Sequence, residues 1–403
     1  MKIALIAFDT RGGVQPYLAL ALGLQRAGHD VRVVAPSDFA EMIAARGVDP
    51  RPLTGGIEAM LRASQGVAER GSLAVMRFSM RHLEERARAW ARECLDACAG
   101  VDVIAAGIGG LVFGRAVATK LKVPMVEAHL HPLGPPTDAF PGVVSPWRGA
   151  FARRLGHRLT HAALWMPFKG AMKAAHASLG APFSMGGDAH LPVLHGYSRH
   201  ILPTAPEWGA RHRVTGYWFL PAGDAWSPPP ALEGFLASPQ PVVAVGFGSM
   251  SSSDPGRTAE LVMGAARRAG VRVVMLSGWG GLEARAHDDV MVADAIPHDW
   301  LYPRVRGVVH HGGAGTTGAA LRAGVPAQVV PFMMDQPFWG HLVADLGVGP
   351  APIPRRRLSE DRLARALEAM VRDDAMAARA AELGEKIRAE DGAAEAARVF
   401  EAL

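Results

Sequence analysis

The chain has 403 residues, of which 49% are hydrophobic and 20% charged, and its formal net charge is +5. This length predicts two domains, each with its own core, and this composition excludes a disordered or fibrous chain. The positive charge comes without a nucleic-acid motif or a long Lys/Arg block, so we expect no nucleic-acid partner.

The first residues predict a buried strand. Lys2–Phe8 is a continuous apolar run that passes into Asp9 without a signal-peptide cleavage site. No apolar run reaches the roughly 18 residues that a membrane-spanning helix needs. Cys94 and Cys98 lie four residues apart, where two thiols make a poor metal site and are expected to stay reduced. We therefore expect a cytoplasmic protein.

The first half of the chain alternates strands with helices. Val14–Ala27 has the pattern of an amphipathic helix, which Gly28 ends. The other elements predicted here are strand Val31–Ala35, helix Asp38–Arg46, a helical region Ser72–Ala99, and strands Asp102–Ala106 and Pro124–Ala128. Such alternation predicts a parallel sheet with right-handed crossovers.

The densest basic segment is Arg148–His176, where arginine and lysine alternate with tryptophan, phenylalanine and leucine. This pattern is typical of a helix that lies on a membrane surface. It is also typical of two ordinary surface helices separated at Pro167. We favour the two surface helices and keep a membrane-surface contact as the alternative.

The alternation restarts after a proline-rich segment at Leu220–Pro230. The second half predicts strands Pro241–Phe247, Val271–Leu276, Val290–Ala293, Gly307–His310 and Pro326–Pro331, and helices Pro255–Ala269 and Pro337–Leu346. The C-terminal stretch is helical with a break near Asp391. We therefore divide the chain into domain 1–216, linker 217–240, domain 241–385 and a helix at 386–403 that can pack back on the first domain.

This organisation predicts an α/β protein made of two Rossmann-like, doubly wound domains that face each other across a cleft. Ligands of open parallel sheets bind at the carboxyl ends of the strands. Clusters of glycine and polar residues follow several of these predicted ends: Asp9–Gly13, Gly248–Ser251, Ser277–Gly281, His310–Thr316 and Asp335-Gln336.

The most informative cluster is the turn from His310 to Thr316, which joins a strand to a helix. Its glycines let the backbone approach a ligand, and the first N–H groups of the helix point outward with the positive end of the helix dipole. A histidine beside them can donate a further hydrogen bond. The turn therefore predicts an anion site.

The run H-H-G-G-A-G-T-T-G-A-A-L-R-A-G-V-P at 310–326, with V-P-F-M-M-D-Q-P-F-W-G at 330–340, resembles the nucleotide-sugar signature of the family-one glycosyltransferases. The opening residues 1–36, G-F-G-S-M at 246–250 and I-P-H-D-W-L at 296–301 also fit that family. The similarity is greatest to its bacterial natural-product and sterol glucosyltransferase branch. It implies the GT-B fold.

The resemblance implies a donor site for a nucleotide sugar. His311, Gly313, Gly315 and Thr316 would cradle the diphosphate, with Ser249 and Arg11 as further phosphate contacts, Trp279 stacked on the base, the Ile296 backbone bonded to the base, and Asp335 and Gln336 on sugar hydroxyls. His310 would still belong to the strand and be packed. No D-x-D metal site accompanies these residues, so we expect neither a metal nor a cofactor.

The chain departs from the family at the catalytic base. Relatives usually have R-G-D-V, with the aspartate as base, where this chain has Arg11-Gly12-Gly13-Val14. Candidate replacements are Asp9, Asp138 and His131, with His129 as a further possibility. Restoring the family residue by Gly13→Asp is expected to raise turnover if Gly13 tolerates the change.

The function implied is inverting transfer of a hexose from UDP-glucose or a dTDP-sugar to a hydrophobic natural product, phenol or sterol. The sequence leaves the donor sugar, the acceptor and the oligomeric state open. The alternative is a catalytically degenerate homologue that binds nucleotide sugar and acts as the partner or activator of another enzyme.

Overall fold

The structure is a computed structural model that describes residues 1–56, 72–147, 149–183, 190–223, 226–248, 255–278 and 288–403. The chain divides into two compact units. Unit 1 comprises Met1–Leu220 and Asp391–Leu403, and unit 2 comprises Pro221–Glu390.

Unit 1 contains a seven-stranded sheet in the order β3-β2-β1-β4-β5-β6-β7, and its strands are parallel. The order runs in opposite directions from β1, as in a doubly wound fold. Ile3 and Leu5 face one side of the sheet, Ala4 and Ile6 the other, and all four are buried because both faces are covered. The strands are β1 Lys2–Ile6, β2 Asp30–Pro36, β3 Asp49–Leu53, β4 Val103–Ala106, β5 Met125–His129, β6 Val193–His195 and β7 His212–Val214.

Two hydrophobic layers cover this sheet. Trp90, Phe113 and Met172 belong to one layer, and Leu18 and Leu20 belong to the other. The helices of residues 1–220 are α1 Arg11–Arg26, α2 Ala40–Ala44, α3 Ser72–Ala97, α4 Ile108–Leu121, α5 Ala150–Trp165 and α6 Lys169–Leu179. Cys94 and Cys98 are buried thiols in the first layer.

Unit 2 repeats the arrangement with a five-stranded parallel sheet in the order β10-β9-β8-β11-β12. Its strands are β8 Val242–Gly246, β9 Arg272–Leu276, β10 Val290–Ala293, β11 Gly307–His310 and β12 Ala327–Val329. Its helices are α7 Pro230–Leu236, α8 Pro255–Ala269, α9 His298–Leu301, α10 Ala314–Ala323, α11 Gln336–Asp345, α12 Glu360–Arg372 and α13 Asp374–Arg388. The prediction of two doubly wound α/β domains is confirmed.

The helical C-terminal stretch is interrupted at two aspartates. Asp373 and Asp391 each cap the helix that follows by accepting a backbone N–H, from Met376 and Ala394 respectively. The second cap begins α14, Gly392–Glu401, which packs on α1 in unit 1. A Cβ atom added at Gly23 of α1 would lie 2.6 Å from Cβ of Ala393, so small side chains allow this approach.

The structure contains elements that the sequence did not predict. Strands β3, β6 and β7 complete the sheet of unit 1, α4 joins β4 to β5, and α7 begins at the last residue of the proline-rich segment, within the predicted linker 217–240. None of the helices in the described part of the chain is both long and apolar enough to cross a membrane.

Candidate functional site

The strands of unit 2 end together on one edge of the sheet. His310, the last residue of β11, pairs with Gly246 of β8 and with Val329 of β12, and Gly246 pairs with Leu276 of β9. Leu276 in turn pairs with Ala293, the last residue of β10. The loops that follow these residues therefore start in one row, as expected for a ligand site at the carboxyl ends of parallel strands.

His311 lies between two glycines of different loops. A Cβ atom at Gly313 would lie 2.5 Å from its Nε2 atom, and one at Gly248 would lie 3.2 Å from its Cε1 atom. Burial lowers the pKa of His311 to about 4, against a smaller opposing effect of Asp335. The imidazole is therefore neutral near pH 7, and towards an anion it could act only as a neutral N–H donor.

His310 has a structural role in the same loop. It is fully buried at the end of β11, and its Nδ1 atom accepts a 3.0 Å hydrogen bond from the backbone N–H of Gly312. Burial, with a further contribution from His311, lowers its pKa to about 3. The prediction that His310 is a packed strand residue agrees with this position, and the bond shapes the turn beside His311.

The helix that follows begins without a side-chain cap. Gly313 is the N-cap residue of α10 and offers no side chain, so the first N–H groups of the helix are not capped by one. Gly315 is exposed and Thr316 half-buried in this first turn. Backbone donors, helix dipole and neutral imidazole thus converge at one helix N-terminus, an arrangement that binds phosphate.

Asp335 and Gln336 stand at the start of α11. The amide oxygen of Gln336 accepts backbone N–H groups of Phe332 at 2.8 Å and Met333 at 3.1 Å. Asp335 accepts a 2.7 Å hydrogen bond from the indole of Trp339. Gln336 therefore shapes the loop with its oxygen, and a sugar hydroxyl would have to be met by its Nε2 atom.

The remaining donor-site candidates of unit 2 differ in what the structure describes. Ile296 lies in the loop after β10 and its side chain is buried. Only its backbone groups could therefore hydrogen-bond to a nucleotide base. Nearby, Ser277 donates a 2.9 Å hydrogen bond to Asp294. Ser249 and Trp279 lie outside the described residues.

In unit 1, the space beside Gly13 holds the carboxylate of Asp9. A Cβ atom added at Gly13 would lie within 3.0 Å of Cγ and Oδ2 of Asp9. The other carboxylate oxygen accepts the Thr10 backbone N–H at 2.5 Å. Asp9 is exposed, at the N-terminus of α1, and Arg11 is exposed in the first turn of that helix.

This geometry corrects the expectation for Gly13→Asp. The added side chain would collide with Asp9, so the single substitution is not expected to raise turnover. Gly13 lies within α1 and is not among the glycines with positive φ, so backbone strain is not the obstacle. Two alternative carboxylates, at position 9 or at position 13, compete for one place.

Asp138 is held in an ion pair. Both of its carboxylate oxygens accept 2.8 Å hydrogen bonds from Arg154, and these bonds are the main cause of a lowered pKa for Asp138. Its backbone N–H donates to Glu207 at 3.2 Å. A carboxylate that is stabilised in its charged form is a weak base, so this pairing argues against a proton-accepting role.

The histidines near the end of β5 belong to a partly buried polar network. The Nε2 atom of His129 lies 3.1 Å from Glu127, whose other oxygen accepts a 2.9 Å bond from Arg115. Burial alone would raise the pKa of Glu127, but hydrogen bonds from His129 and charges of His129 and Arg115 bring it to about 2. His131 lies two residues beyond the strand, and its backbone oxygen is 3.2 Å from Nδ1 of His195.

Sequence reasoning missed three features of these sites. These are the role of Gly248 and Gly313 as walls around His311, the Glu127–His129 pair, and the position of Asp9 over Gly13. Of these features, only the position of Asp9 has a counterpart in the sequence, where glycine at position 13 replaces aspartate and an aspartate stands at position 9. Among the described residues, no group of three or more His, Cys, Asp or Glu is placed to hold a metal ion.

Two protein-family models match the chain. The glycosyltransferase family 28 N-terminal domain matches residues 3–113. The C-terminal domain typical of the erythromycin biosynthesis protein CIII matches residues 264–403. Together they cover the first strands of unit 1 and the part of unit 2 that contains His311 and Gln336.

Two curated relatives come from Arabidopsis thaliana. The chain is 32% identical to the sterol 3-beta-glucosyltransferase UGT80A2 over 99% of its own length and 65% of that protein. It is 31% identical to the sterol 3-beta-glucosyltransferase UGT80B1 over 99% of its length and 68% of that protein. The chain thus spans about two thirds of the length of these plant relatives.

The solved structure of the glycosyltransferase VinC in complex with DTDP aligns with the whole chain. The TM-score is 0.69, the sequence identity is 20%, and both chains are covered completely. At this identity, the likeness shows the fold alone.

Proposed function

This chain belongs to the family-one glycosyltransferases and has their GT-B fold, and we propose that it transfers a hexose from a nucleoside-diphosphate sugar to an acceptor hydroxyl. The observation that carries the proposal is the edge of the unit 2 sheet, where neutral His311 stands beside the uncapped N-terminus of α10. These groups suit a diphosphate that gains negative charge as the sugar leaves.

The proposed donor contacts follow the loops along this edge. His311, with backbone N–H groups of Gly315 and Thr316, bonds the diphosphate, and the backbone of Ile296 bonds the base. Asp335 and Nε2 of Gln336 bond sugar hydroxyls, for which a carboxylate and an amide supply an acceptor and a donor. Ser249, Trp279 and Arg11 keep the roles that the family signature implies.

We propose that Asp9 is the catalytic base. Its carboxylate occupies the space from which a side chain at position 13 would project, so a carboxyl group is kept although residue 13 is glycine. Asp9 is exposed, whereas Asp138 is bound to Arg154 and His129 is buried against Glu127. His131 stays the second candidate, since it is half-buried just beyond β5.

The proposed step is a direct displacement. The acceptor oxygen forms a bond to the anomeric carbon, while the bond from that carbon to the diphosphate oxygen breaks. The acceptor proton passes to Asp9, and the departing electron pair stays on the diphosphate, where the α10 N–H groups and His311 stabilise it. The configuration at the anomeric carbon inverts.

The acceptor class is proposed from the relatives. The two Arabidopsis thaliana proteins are named for glucosylating sterols, which suggests a sterol or another hydrophobic natural product or phenol here. The bound nucleotide of VinC is DTDP, and UDP-glucose fits the sterol glucosyltransferase names. We propose UDP-glucose first and dTDP-sugars second, in a bacterial enzyme.

The experiment is a donor-by-acceptor screen read by mass spectrometry. The purified chain is incubated with UDP-glucose or dTDP-glucose and a panel of sterols, phenols and macrolides, with and without EDTA. We expect a mass increase of one hexose on at least one acceptor and unchanged rates with EDTA. Donor binding without any product across the panel would instead support a degenerate binding homologue.

The main reason for proposing a degenerate binding homologue no longer holds. The degenerate homologue was suggested by the missing aspartate at position 13, and the Asp9 carboxylate stands in the corresponding space. In the same screen, a loss of activity with EDTA that only magnesium or manganese restores would contradict the metal-independent mechanism.

A further inference from the structure

Helix α5 exposes an apolar row to solvent. Phe151, Leu155 and Leu159 follow each other at intervals of four residues, so they lie on one face of the helix. All three are exposed, Phe151 to 83%, and Met166 at the end of the helix is exposed to 69%. At 1.5 Å per residue, this helix is about 24 Å long.

The clustering of exposed apolar residues here is unusual for this molecule. Among the described residues, ten large apolar side chains are exposed, and six of them fall between positions 147 and 183. Single exposed apolar residues are ordinary, whereas a contiguous set marks a surface that binds something.

A basic row runs beside the apolar row. Arg154 and Arg158 are both exposed and are four residues apart, each one position before a leucine of the apolar row. Residues 149–183 contain five Lys/Arg and no Asp/Glu. Arg154 is partly neutralised by Asp138 and is 3.9 Å from Glu207, but Arg158 and Lys169 form no ion pair with described residues.

We propose that this basic apolar face, formed by Phe151, Leu155, Arg158, Leu159 and Met166, docks on an anionic lipid surface. An apolar row beside basic side chains suits the boundary between acyl chains and anionic headgroups. Residues 149–183 add no acidic side chain to this face, and the carboxylates beside it, Asp138 and Glu207, are contributed by other segments and lie against Arg154. A protein partner would require no such one-signed charge.

The segment forms two helices, α5 and α6, and docking does not require either of them to cross the bilayer. A helix can lie on a bilayer with only its apolar face inserted. This docking would bring unit 1, which contains the proposed base Asp9, to the membrane in which a hydrophobic acceptor dissolves. The acceptor argument rests on the proposed function, whereas the exposed residues and the charge do not.

The test is flotation of the full chain with lipid vesicles of phosphatidylcholine alone or with 30% phosphatidylglycerol. We expect binding to the anionic vesicles, weaker binding at high salt, and little binding to the neutral ones. Phe151→Ser/Met166→Ser and Arg158→Gln/Lys169→Gln should each lose binding, the second by about 30-fold at roughly fivefold per basic residue. Leu403→Ser and Lys120→Gln, exposed residues elsewhere, are the matched controls.

Three results would overturn the proposal. One is the absence of vesicle binding by the wild type, or equal binding by wild type and both double variants. Another is concentration-dependent self-association that Phe151→Ser/Met166→Ser abolishes, which would make this face a contact between two copies. A third is loss of turnover on a water-soluble acceptor in the same variant, which would assign the face to the acceptor site. Vesicle binding is read without turnover, so its failure leaves the proposed transferase activity separately testable.

Discussion

At the level of single residues, the carboxylate of Asp9 occupies the space into which a side chain at position 13 would project. The Asp9 carboxylate fits in its present place only because residue 13 is glycine. Any larger residue at position 13 would have to displace it. The two positions are therefore expected to be coupled, so that neither substitution has its effect independently of the other.

We predict that Asp9→Asn lowers kcat by roughly 100- to 10,000-fold, the usual contribution of a general base. Gly13→Asp alone should lower activity and stability because its side chain collides with Asp9. The exchange Asp9→Gly/Gly13→Asp should recover most of the activity that Asp9→Gly loses. Steady-state kinetics and circular dichroism of the four variants measure this.

The matched control is Gly12→Asp in the Asp9→Gly background. A Cβ atom at Gly12 meets no atom within 4 Å, so this change adds the same charge to α1 without a collision. It should not rescue turnover. Near-normal activity of Asp9→Asn, or equal rescue from position 12, would remove Asp9 as the base and leave His131 as the candidate.

The two adjacent histidines should separate donor binding from folding. His311→Ala removes a hydrogen bond to a charged diphosphate, which is typically about 1.5–3 kcal/mol. We therefore expect kcat/KM to fall by roughly 10- to 150-fold, while circular dichroism shows the variant still folded at the assay temperature. His310→Asn keeps an acceptor for the Gly312 N–H and should retain activity. The opposite pattern would mean that the roles of the pair are reversed.

At the scale of elements, the contact between α1 and α14 connects the C-terminal helix to unit 1. We predict that Gly23→Leu, which forces the Ala393 backbone away, destabilises unit 1 by about 1–3 kcal/mol. Thermal unfolding measures this loss of stability. The comparison variant is Ala396→Gly on α14, which removes volume where Gly23→Leu adds it. An unchanged melting temperature for Gly23→Leu would contradict the packing of α14 on α1.

The long, strongly patterned elements were predictable and the short ones were not. The apolar run that ends at Asp9 predicts β1, and apolar or amphipathic patterns bounded by glycine or proline predict α1, α8 and β11. β6 and β7 have three residues each, too few for a period to be visible, and β3 has two prolines that a sheet edge tolerates. Helix α4 is buried over most of its length, so no polar face marks it.

The strand-to-helix turn at His310–Thr316 was predictable because its histidines, glycines and helix start are adjacent in sequence. The packing of His311 against Gly248 was not, because those residues are brought together only by the pairing of β8 with β11. The ion pair of Asp138 with Arg154 likewise joins a loop to α5. Contacts between residues of different strands, helices and loops cannot be predicted from the spacing of residues along the chain.

At the scale of the whole molecule, buried neutral histidines predict acid sensitivity. Burial lowers the pKa of His310 to about 3 and that of His311 and His212 to about 4, from an ordinary value of 6.5. The unfolded chain then binds protons between pH 6.5 and 4 that the folded chain does not, so stability falls as pH falls through this window.

We expect the free energy of unfolding to drop by about 2 kcal/mol per such histidine at pH 5 relative to pH 7.5. Thermal melts across this range measure it. His310→Asn should flatten the dependence, whereas His341→Asn, at an exposed position, should not. Stability that is constant from pH 7.5 to 5, or equal slopes for the two variants, would contradict the buried neutral state.

The proposed reaction is sugar transfer by direct displacement from a nucleoside-diphosphate sugar. Its most direct measurement is the NMR spectrum of the anomeric proton in the product made from UDP-glucose, whose glucose is α-linked. We expect a β-linked glucoside, because a single displacement with Asp9 as base inverts that centre. An α-linked product, or a donor that binds while no acceptor gains a sugar, would contradict it.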